Sequence, residues 1–459
     1  MIPKIQDFSL FDLIDNALLD RILRKLSASS FASAACVSMR WYQICDGILF
    51  SRPKLLSAVS LCLLPNKALQ EVVKTVCSEP IKPQFVLAHV AGPHHDLSTT
   101  LDFLVGKFST KIPIIVTRPR GLLGKTMSSS HPMVLLVIGY LPGLKVAIIP
   151  FREVREAVNN VKQFSHNASG CSSPSFIMMF GSNHAKLKPI IDILDEEMSD
   201  ETIIAGNEGC EFSYNIGVKA ENDTDEIHAV TLVFSKDMRK RANIGEVGFH
   251  VGFLNGLFPA GPVYQAVSCQ FENEISRING KRDGLDQIFT GIEILSNLGL
   301  HLPLEALEVV EVAVARNASF DDETGDLSLF DFYGKILESN DQLHVWGSRV
   351  HTGDYFQLCV TDQENLEGTG KEIYNWYTNL KEQLRTEEFI GGFLFTSNSR
   401  GNFFYLESDL NSATFLDNFP VSKLIGIFCS GEIVRGRGFS GNCFLNKYSS
   451  VHIGLFYSP

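Results

Sequence analysis

The sequence predicts an α+β chain of several domains: a small three-helix unit over residues 10–54, a helical connection over 55–84, and two α/β halves with mixed sheets over 85–250 and 251–459. Three observations lead there. Leu18, Leu19, Ile22, Leu23 and Leu26 recur at intervals of one, three and four, the period of a helix buried along one side. From Phe85 the pattern changes to short, continuously apolar runs bounded by Gly, Pro and Ser, as central strands are. Between those runs lie segments of helical periodicity, Asp96 to Phe108 and Lys186 to Met198, the second with Leu187, Ile190, Ile191 and Leu194 on one face.

In the N-terminal unit, Ile14-Asp15 opens the first helix, the Asp15 carboxylate being suited to accept from an orphan N–H and to oppose the positive helix end. Ser29 and Ser30 offer hydroxyls at the start of a second short run, Phe31 to Val37. Trp41, Ile44, Cys45 and Ile48 then carry helical spacing into Phe50-Ser51-Arg52-Pro53. A unit of ~40 residues rarely buries such a stripe by itself. Five Leu and Ile side chains carry on the order of 10 kcal/mol of burial energy, enough to dock in a groove of another protein. The alternative is a helical hairpin packed on the rest of the chain.

Leu55 to Cys77 reads mainly as helix. Phe85 to Val90, Ile112 to Val116, Met133 to Ile138, Lys145 to Ile149 and Phe176 to Phe180 are strand candidates, and Thr202 to Ala205 returns to strand. Lys219 to Glu226 and Asp237 to Gly245 interrupt the pattern before Glu246 begins a new segment. Tyr264 to Val267, Leu307 to Ala315, Leu343 to Trp346 and Tyr355 to Val360 read as strands, and Phe389 to Phe395 with Leu424 to Phe428 close the series. Leu285 to Leu298 and Asn365 to Thr386 read as helices. Leu302 to Val310 is leucine-rich, but nothing follows at the ~20–29-residue period of a leucine-rich horseshoe.

Hydrophobic residues make up 45% of the 459 and charged residues 20%, which excludes a largely disordered chain. A net charge of −12 repels phosphate backbones, so nucleic acid is not an expected partner. The ten cysteines are dispersed, without C-x-x-C pairs or zinc spacing, and read as reduced, mostly buried thiols. No apolar run reaches the ~18 residues of a membrane helix, and Met1-Ile2-Pro3-Lys4 leads into no signal peptide. A soluble intracellular protein is expected, so the sequons at Asn167 and Asn317 are discounted.

Several motifs tempt and fail. Arg118 to Thr126 ends in Gly-Lys-Thr after a strand, but Pro119 stands where a phosphate loop has its first glycine. Gly436 to Gly441 matches G-x-G-x-x-G, yet Asn442 to Leu445 reads as strand where a helix is required. His94-His95-Asp96 lacks further ligands, so no metal and no cofactor are assigned. Cys210 and Cys429 sit by glycine turns without a base, so no catalytic residue is assigned, and Arg239-Lys240-Arg241 reads as a solvated loop.

The order Ile14-Asp15-x-x-Leu18-Leu19-x-x-Ile22-Leu23-x-x-Leu26, then Phe31 and Val37-Ser38-Met39-Arg40-Trp41, resembles the F-box. Ile14-Asp15 stands where the family has Leu-Pro, and Ser38-Met39 where it has Cys-Lys. The resemblance implies binding of the Skp adaptor through Ile14, Leu18, Leu19, Ile22, Leu23, Leu26, Phe31, Val37 and Trp41, with cullin and RING subunits joined through the adaptor. It implies a non-catalytic substrate receptor of a ubiquitin ligase, whose protein substrate the sequence does not name, acting in cytoplasm and nucleus.

Gly391 to Gly401, then Pro420, then Ile425-Gly426-Ile427-Phe428-Cys429-Ser430-Gly431-Glu432 is similar to the C-terminal FIST domain, with Ile427 where that pattern has Phe. Ile114 to Gly124, Lys186 to Gly209 and Gly256 to Ser268 are similar to its N-terminal partner domain. By that resemblance Arg400, Gly401, Cys429, Gly431 and Glu432 are candidates for substrate or ligand contact, though Arg400 and Glu432 equally fit a structural ion pair. The alternative function is an intracellular sensor holding a small-molecule ligand between the halves, and an enzyme is third.

Overall fold

The computed structural model describes residues 14–92, 96–122, 133–216, 227–242, 244–254, 256–273, 275–282, 284–299, 310–315, 332–339, 341–346, 350–360, 363–398, 415–420, 423–436, 444–446 and 449–459. Three short helices come first, α1 (Asn16–Leu23), α2 (Ala28–Ala35) and α3 (Met39–Phe50). They are followed by β1 (Lys54–Ser60), α4 (Pro65–Val76), β2 (Phe85–Ala91), α5 (Leu97–Phe108), β3 (Ile114–Arg118), β4 (Gly121–Leu122), β5 (Met133–Tyr140) and β6 (Leu144–Phe151). Next come α6 (Val154–Ser169), β7 (Phe176–Gly181), α7 (His184–Glu197), β8 (Ile203–Glu208), β9 (Glu211–Asn215) and β10 (Ala229–Lys236). The later half has β11 (Glu246–Leu254), β12 (Phe258–Glu272), β13 (Ile275–Lys281), β14 (Ile288–Phe289), α8 (Gly291–Gly299), β15 (Val310–Ala315), β16 (Phe332–Ser339), β17 (Leu343–Trp346) and β18 (Tyr355–Val360). It ends with α9 (Gln363–Gln383), β19 (Glu388–Ser397), β20 (Lys423–Cys429), β21 (Gly431–Arg435), β22 (Phe444–Asn446) and β23 (Ser450–Ser458).

The expected α+β class with mixed sheets is what forms. The first sheet runs β1-β5-β2-β3-β9, the second β22-β21-β8-β7-β10-β6 and the third β11-β23-β19-β20-β4. All three face one central core, and this explains the continuous apolar runs. In β2, Phe85 and Leu87 point to that core while Val86, Ala88 and Val90 lie beneath α4 and α5. In β7, Phe176, Met178 and Phe180 point inward while Ile177 and Met179 are covered by α6 and α7. With both faces buried, the period-2 signal of a half-exposed strand has nothing to alternate against.

The fourth sheet departs from the expected second α/β half. Pairing of β12 with both β18 and β13 closes β12-β18-β15-β16-β17-β13 into an antiparallel barrel, with β14 beside β13. β12 turns this corner through register shifts at Ala260/Val263 and Val267/Gln270, where an extra residue bends a strand and increases its twist. Tyr264, Val312, Val345 and Phe356 fill the barrel together with Ile294 and Leu298 of α8.

Three further readings are corrected. Leu55 to Cys77 is helical only in its second half, because Lys54–Ser60 forms β1 on β5, with Leu55 in the central core, and α4 starts only at Pro65. The helix expected from Leu285 starts at Gly291, after β14, where Thr290 and Glu293 cap each other reciprocally: Thr290 N–H donates to Glu293 Oε2 at 2.8 Å and Glu293 N–H to Thr290 Oγ1 at 3.3 Å. The boundary read at residues 250 and 251 falls inside β11. The halves also trade strands: β4 pairs with β20 in the third sheet, and β21 pairs with β8 in the second. Leu302 to Val309, Lys219 to Glu226 and the His94-His95 pair lie outside the described residues.

Candidate functional site

The N-terminal unit is built from three capped helices. The Asp15 carboxylate accepts from Leu18 N–H at 2.6 Å, as expected of the residue that opens α1. For α2 the cap is Ser27, accepting from Ser30 N–H at 3.3 Å, and not the Ser29 or Ser30 hydroxyl the sequence suggested. Ser38 caps α3 through Trp41 N–H at 3.2 Å. Arg40 then ties the helices together, donating from Nε to Asn16 Oδ1 at 2.9 Å and from its guanidinium to the Ile14 carbonyl.

The leucine stripe divides. Leu19 and Leu23, at 1% and 0% exposure, join Phe31, Ala34, Cys45 and Ile48 in the unit's own core, with Ile14, Leu26 and Trp41 half-buried against it. Leu18 and Ile22, at 49% and 42%, point to solvent with Val37, Met39 and Tyr42. The split follows from helix geometry. Adjacent residues differ by about 100° around the axis, so the i, i+4 pair Leu19/Leu23 faces inward and Leu18/Ile22 flanks it. Met39 and Tyr42 were not among the expected contacts, and their only sequence signal is an apolar or aromatic residue at a position the helix turns outward.

Several contacts join the unit that carries this exposed face to the rest of the chain. Phe50, at the end of α3, lies between Lys82 Nζ at 4.2 Å and the Arg241 guanidinium at 4.6 Å, and meets Tyr140 edge-on at 6.0 Å. Arg241 also pairs with Asp46 at 3.0 Å. Ala28 N–H donates to the Cys77 carbonyl at 3.1 Å, and Lys54 Nζ to the Pro80 carbonyl at 2.8 Å, where burial lowers the lysine pKa. Arg239-Lys240-Arg241 is therefore no solvated loop throughout, since Lys240 Nζ also reaches the Gly245 carbonyl at 3.2 Å.

The second candidate cluster lies where β20 passes into β21. Cys429 ends β20, Ser430 turns, and β21 leaves for the second sheet with Gly431 opposite Glu208 and Glu432 opposite Asn207. Continued through the turn, that register places Cys429 opposite Cys210. Both thiols are buried, and Cys210 Sγ donates to Asn207 Oδ1 at 3.3 Å. Burial pushes Cys210 up to about 12 and Cys429 well above the ordinary thiol range, with Glu432 adding to the second shift. Neither is a thiolate nucleophile at neutral pH.

Glu432 is fully buried and accepts from Ser449 Oγ. Ser430 Oγ accepts from Arg120 Nε at 3.1 Å, and it fills the space a side chain at Gly209 would need, since a Cβ there meets Ser430 Oγ at 2.6 Å and φ is +77°. These contacts make the turn a seam between the halves. Gly431 is buried strand and is not among the glycines with positive φ. Arg400 and Gly401 lie outside the described residues. Of the phosphate-loop look-alike, Gly121 and Leu122 form β4, while Arg118 is held by Glu211 at 2.8 Å and the Gly92 carbonyl at 2.6 Å; residues 123–132 are not described. Among the described residues no three His, Cys, Asp or Glu side chains are gathered in a way that would hold a metal ion.

Comparison with known proteins bears on the first of these sites. The F-box domain family matches residues 11–52. Over 493 aligned residues, covering 96% of this chain and 92% of the relative, the sequence is 30% identical to an F-box/LRR-repeat protein of Arabidopsis thaliana. The leucine-rich repeat in that relative's name has no counterpart among the described residues here, which form three mixed sheets and a barrel.

Proposed function

The chain belongs to the F-box protein family, and from that premise we propose that it is the substrate-recognition subunit of a Skp-cullin-F-box ubiquitin ligase, acting in the cytoplasm and nucleus. The observation that carries the reading is the division of the leucine stripe. A unit that folds on Leu19, Leu23 and Phe31 still leaves Leu18, Ile22, Val37, Met39 and Tyr42 in water, and a second protein that covered them would gain their burial energy. That protein is the Skp adaptor, through which the cullin and RING subunits join. The two halves that follow are read as FIST domains on the motif resemblance at Gly391 to Gly401 and Ile425 to Glu432.

In this role the chain performs no bond chemistry. It raises the concentration of its target beside the charged conjugating enzyme, and a unit joined by direct contacts serves that purpose better than one on a tether because effective concentration falls as linker length exceeds the span. The test is co-purification of the intact chain with the Skp adaptor. A folded chain that retains no adaptor would overturn the reading.

A further inference from the structure

The exposed face of the helical unit carries a chemistry that the adaptor reading does not use. Met39 is the residue of that face most open to water, at 72% exposure against 62% for Val37 and 54% for Tyr42. It is the first residue of α3, and with Tyr42 three positions on it shares the outer side of the helix, since Cys45 and Ile48 take the inner one. The bonds from Arg40 to Asn16 and to the Ile14 carbonyl tie the first turn of α3, which carries Met39, to the first turn of α1, which carries Leu18. Met39 therefore belongs to the apolar surface that a partner would cover.

A thioether in that position is a reactive one. Its sulfur lone pairs accept an oxygen atom from a peroxide, and access to solvent decides which methionines react. Among the described residues Met133, Met178, Met179 and Met198 are buried, while Met39 and Met238 are exposed. Met238, at 73%, lies in the turn after β10 with its N–H donating to the Ala168 carbonyl at 3.1 Å, so it belongs to the second sheet and not to the helical unit. The molecule thus holds one accessible thioether on the docking face and another of equal exposure away from it. Where the F-box pattern has Cys-Lys this chain has Ser38-Met39, and a lysine ammonium has no lone pair to offer a peroxide. The sensitivity enters with that departure.

Oxidation changes what the face can bury. The sulfoxide oxygen is a hydrogen-bond acceptor on what was an apolar side chain, and covering it without a donor costs free energy that covering the thioether does not. The helical unit itself loses nothing, because Met39 is not part of its core.

We propose that Met39 is a reversible oxidation site that governs adaptor docking. Hydrogen peroxide transfers one oxygen atom to the Met39 sulfur, leaving the sulfoxide and water, and the adaptor is released. A methionine sulfoxide reductase returns the thioether: two thiols give up two electrons and two protons to become a disulfide, and the oxygen leaves as water. The link to docking rests on the receptor reading above. The oxidation of Met39 does not.

The full chain is treated with hydrogen peroxide, cleared with catalase, and reduced with dithiothreitol, which reverses sulfenic acids and disulfides, including any at the exposed Cys36, but leaves sulfoxides. It is then titrated calorimetrically with untreated Skp adaptor, and peptide mass spectrometry locates the oxygen. The expected result is sulfoxide at Met39 and Met238, an adaptor affinity at least about tenfold lower, an unchanged melting temperature, and recovery after the two epimer-specific sulfoxide reductases. Met39→Leu should bind like the parent and keep its affinity after peroxide, Met39→Gln should bind weakly without peroxide, and Met238→Leu should give no protection. Undiminished affinity with Met39 fully oxidised, equal loss in Met39→Leu, or a Met39 that stays reduced while Met238 reacts overturns the proposal and leaves the receptor reading standing. An untreated folded chain that binds no adaptor overturns both.

Discussion

Arg435 Nε lies 3.0 Å from Asp195 Oδ1, joining β21 of the later half to the C-terminal end of α7 in the earlier one. The guanidinium is 1% exposed as a residue and also donates to the carbonyls of Asp195 and Met198, at 3.3 and 3.2 Å, which the helix leaves without intrahelical donors. Replacing Arg435 by Ala removes the buried cation of a pair whose Asp195 side chain is 24% exposed, together with two donors to carbonyls. Chemical denaturation is expected to show a loss of about 2–4 kcal/mol. A loss below about 1 kcal/mol would mean that water replaces the guanidinium there.

The divided stripe predicts opposite consequences for neighbouring leucines. Leu18→Ala with Ile22→Ala removes exposed anchors, so adaptor affinity should fall by several kcal/mol while the melting temperature barely moves. Leu23→Ala empties a fully buried site and should cost about 2–5 kcal/mol of stability in the helical unit. Calorimetric titration with the adaptor beside thermal unfolding separates the two. Equal loss of binding in both variants without destabilisation in either contradicts the assignment.

Phe50 and Arg241 give the junction between the helical unit and the rest of the chain its testable part. Arg241→Ala removes the exposed Asp46 ion pair and the cation above the ring, contributions of about 0.5–1 kcal/mol each at such a site. Global stability should therefore change little. Amide exchange in the last turn of α3 is expected to accelerate, and unchanged exchange would show that the Lys82 and Tyr140 contacts alone fix the helix.

His89 sets a pH response. Its imidazole is buried between β2 and β3 with Nδ1 2.7 Å from Thr117 Oγ1, and burial lowers its pKa from 6.5 to about 3. Because the folded pKa lies below the unfolded one, the unfolded chain binds more protons as the solution is acidified. The contribution is complete above about pH 6.5 and is lost toward pH 3, at a slope approaching about 1.4 kcal/mol per pH unit. Urea midpoints of the parent and His89→Gln, measured from pH 7 to pH 4.5, should diverge in slope, the parent losing stability faster.

The thiols should sort by burial. Iodoacetamide at pH 8 is expected to label Cys36 and Cys171, which are exposed, and to leave Cys210 and Cys429 unmodified until denaturant is added. Peptide mass spectrometry reads this directly. Labelling of Cys429 in the folded protein would show that the seam opens.

What was legible in the sequence was what neighbours in the chain decide. Asp15 could be read as a cap because its acceptor reaches only to Leu18. The strands from Phe85 to Phe180 could be read because burial on both faces leaves an unbroken apolar run. Thr290-x-x-Glu293 was a local signal too, a capping box that would have placed the start of α8. Pairing was not legible. Alternation along β12 tells which residues face inward but not that β18 and β13 lie on its two sides, and nothing near Arg435 announces a partner at Asp195. For the same reason Arg239-Lys240-Arg241 read as a solvated loop, since Asp46 and Phe50 are far away in sequence.

The exchange of strands between halves also fixes the order in which the molecule can be made. β8 ends at Glu208 and its neighbour β21 begins at Gly431, while β11 begins at Glu246 and its neighbour β23 ends at Ser458. At ~5–20 residues per second, a ribosome leaves both strands without those neighbours for roughly ten seconds or more. During that interval the nascent chain displays two apolar strand edges, the surfaces most prone to joining another polypeptide. Both edges therefore stay open to other polypeptides until translation is nearly finished, and a stop codon between β11 and β21 yields a product with both edges permanently open.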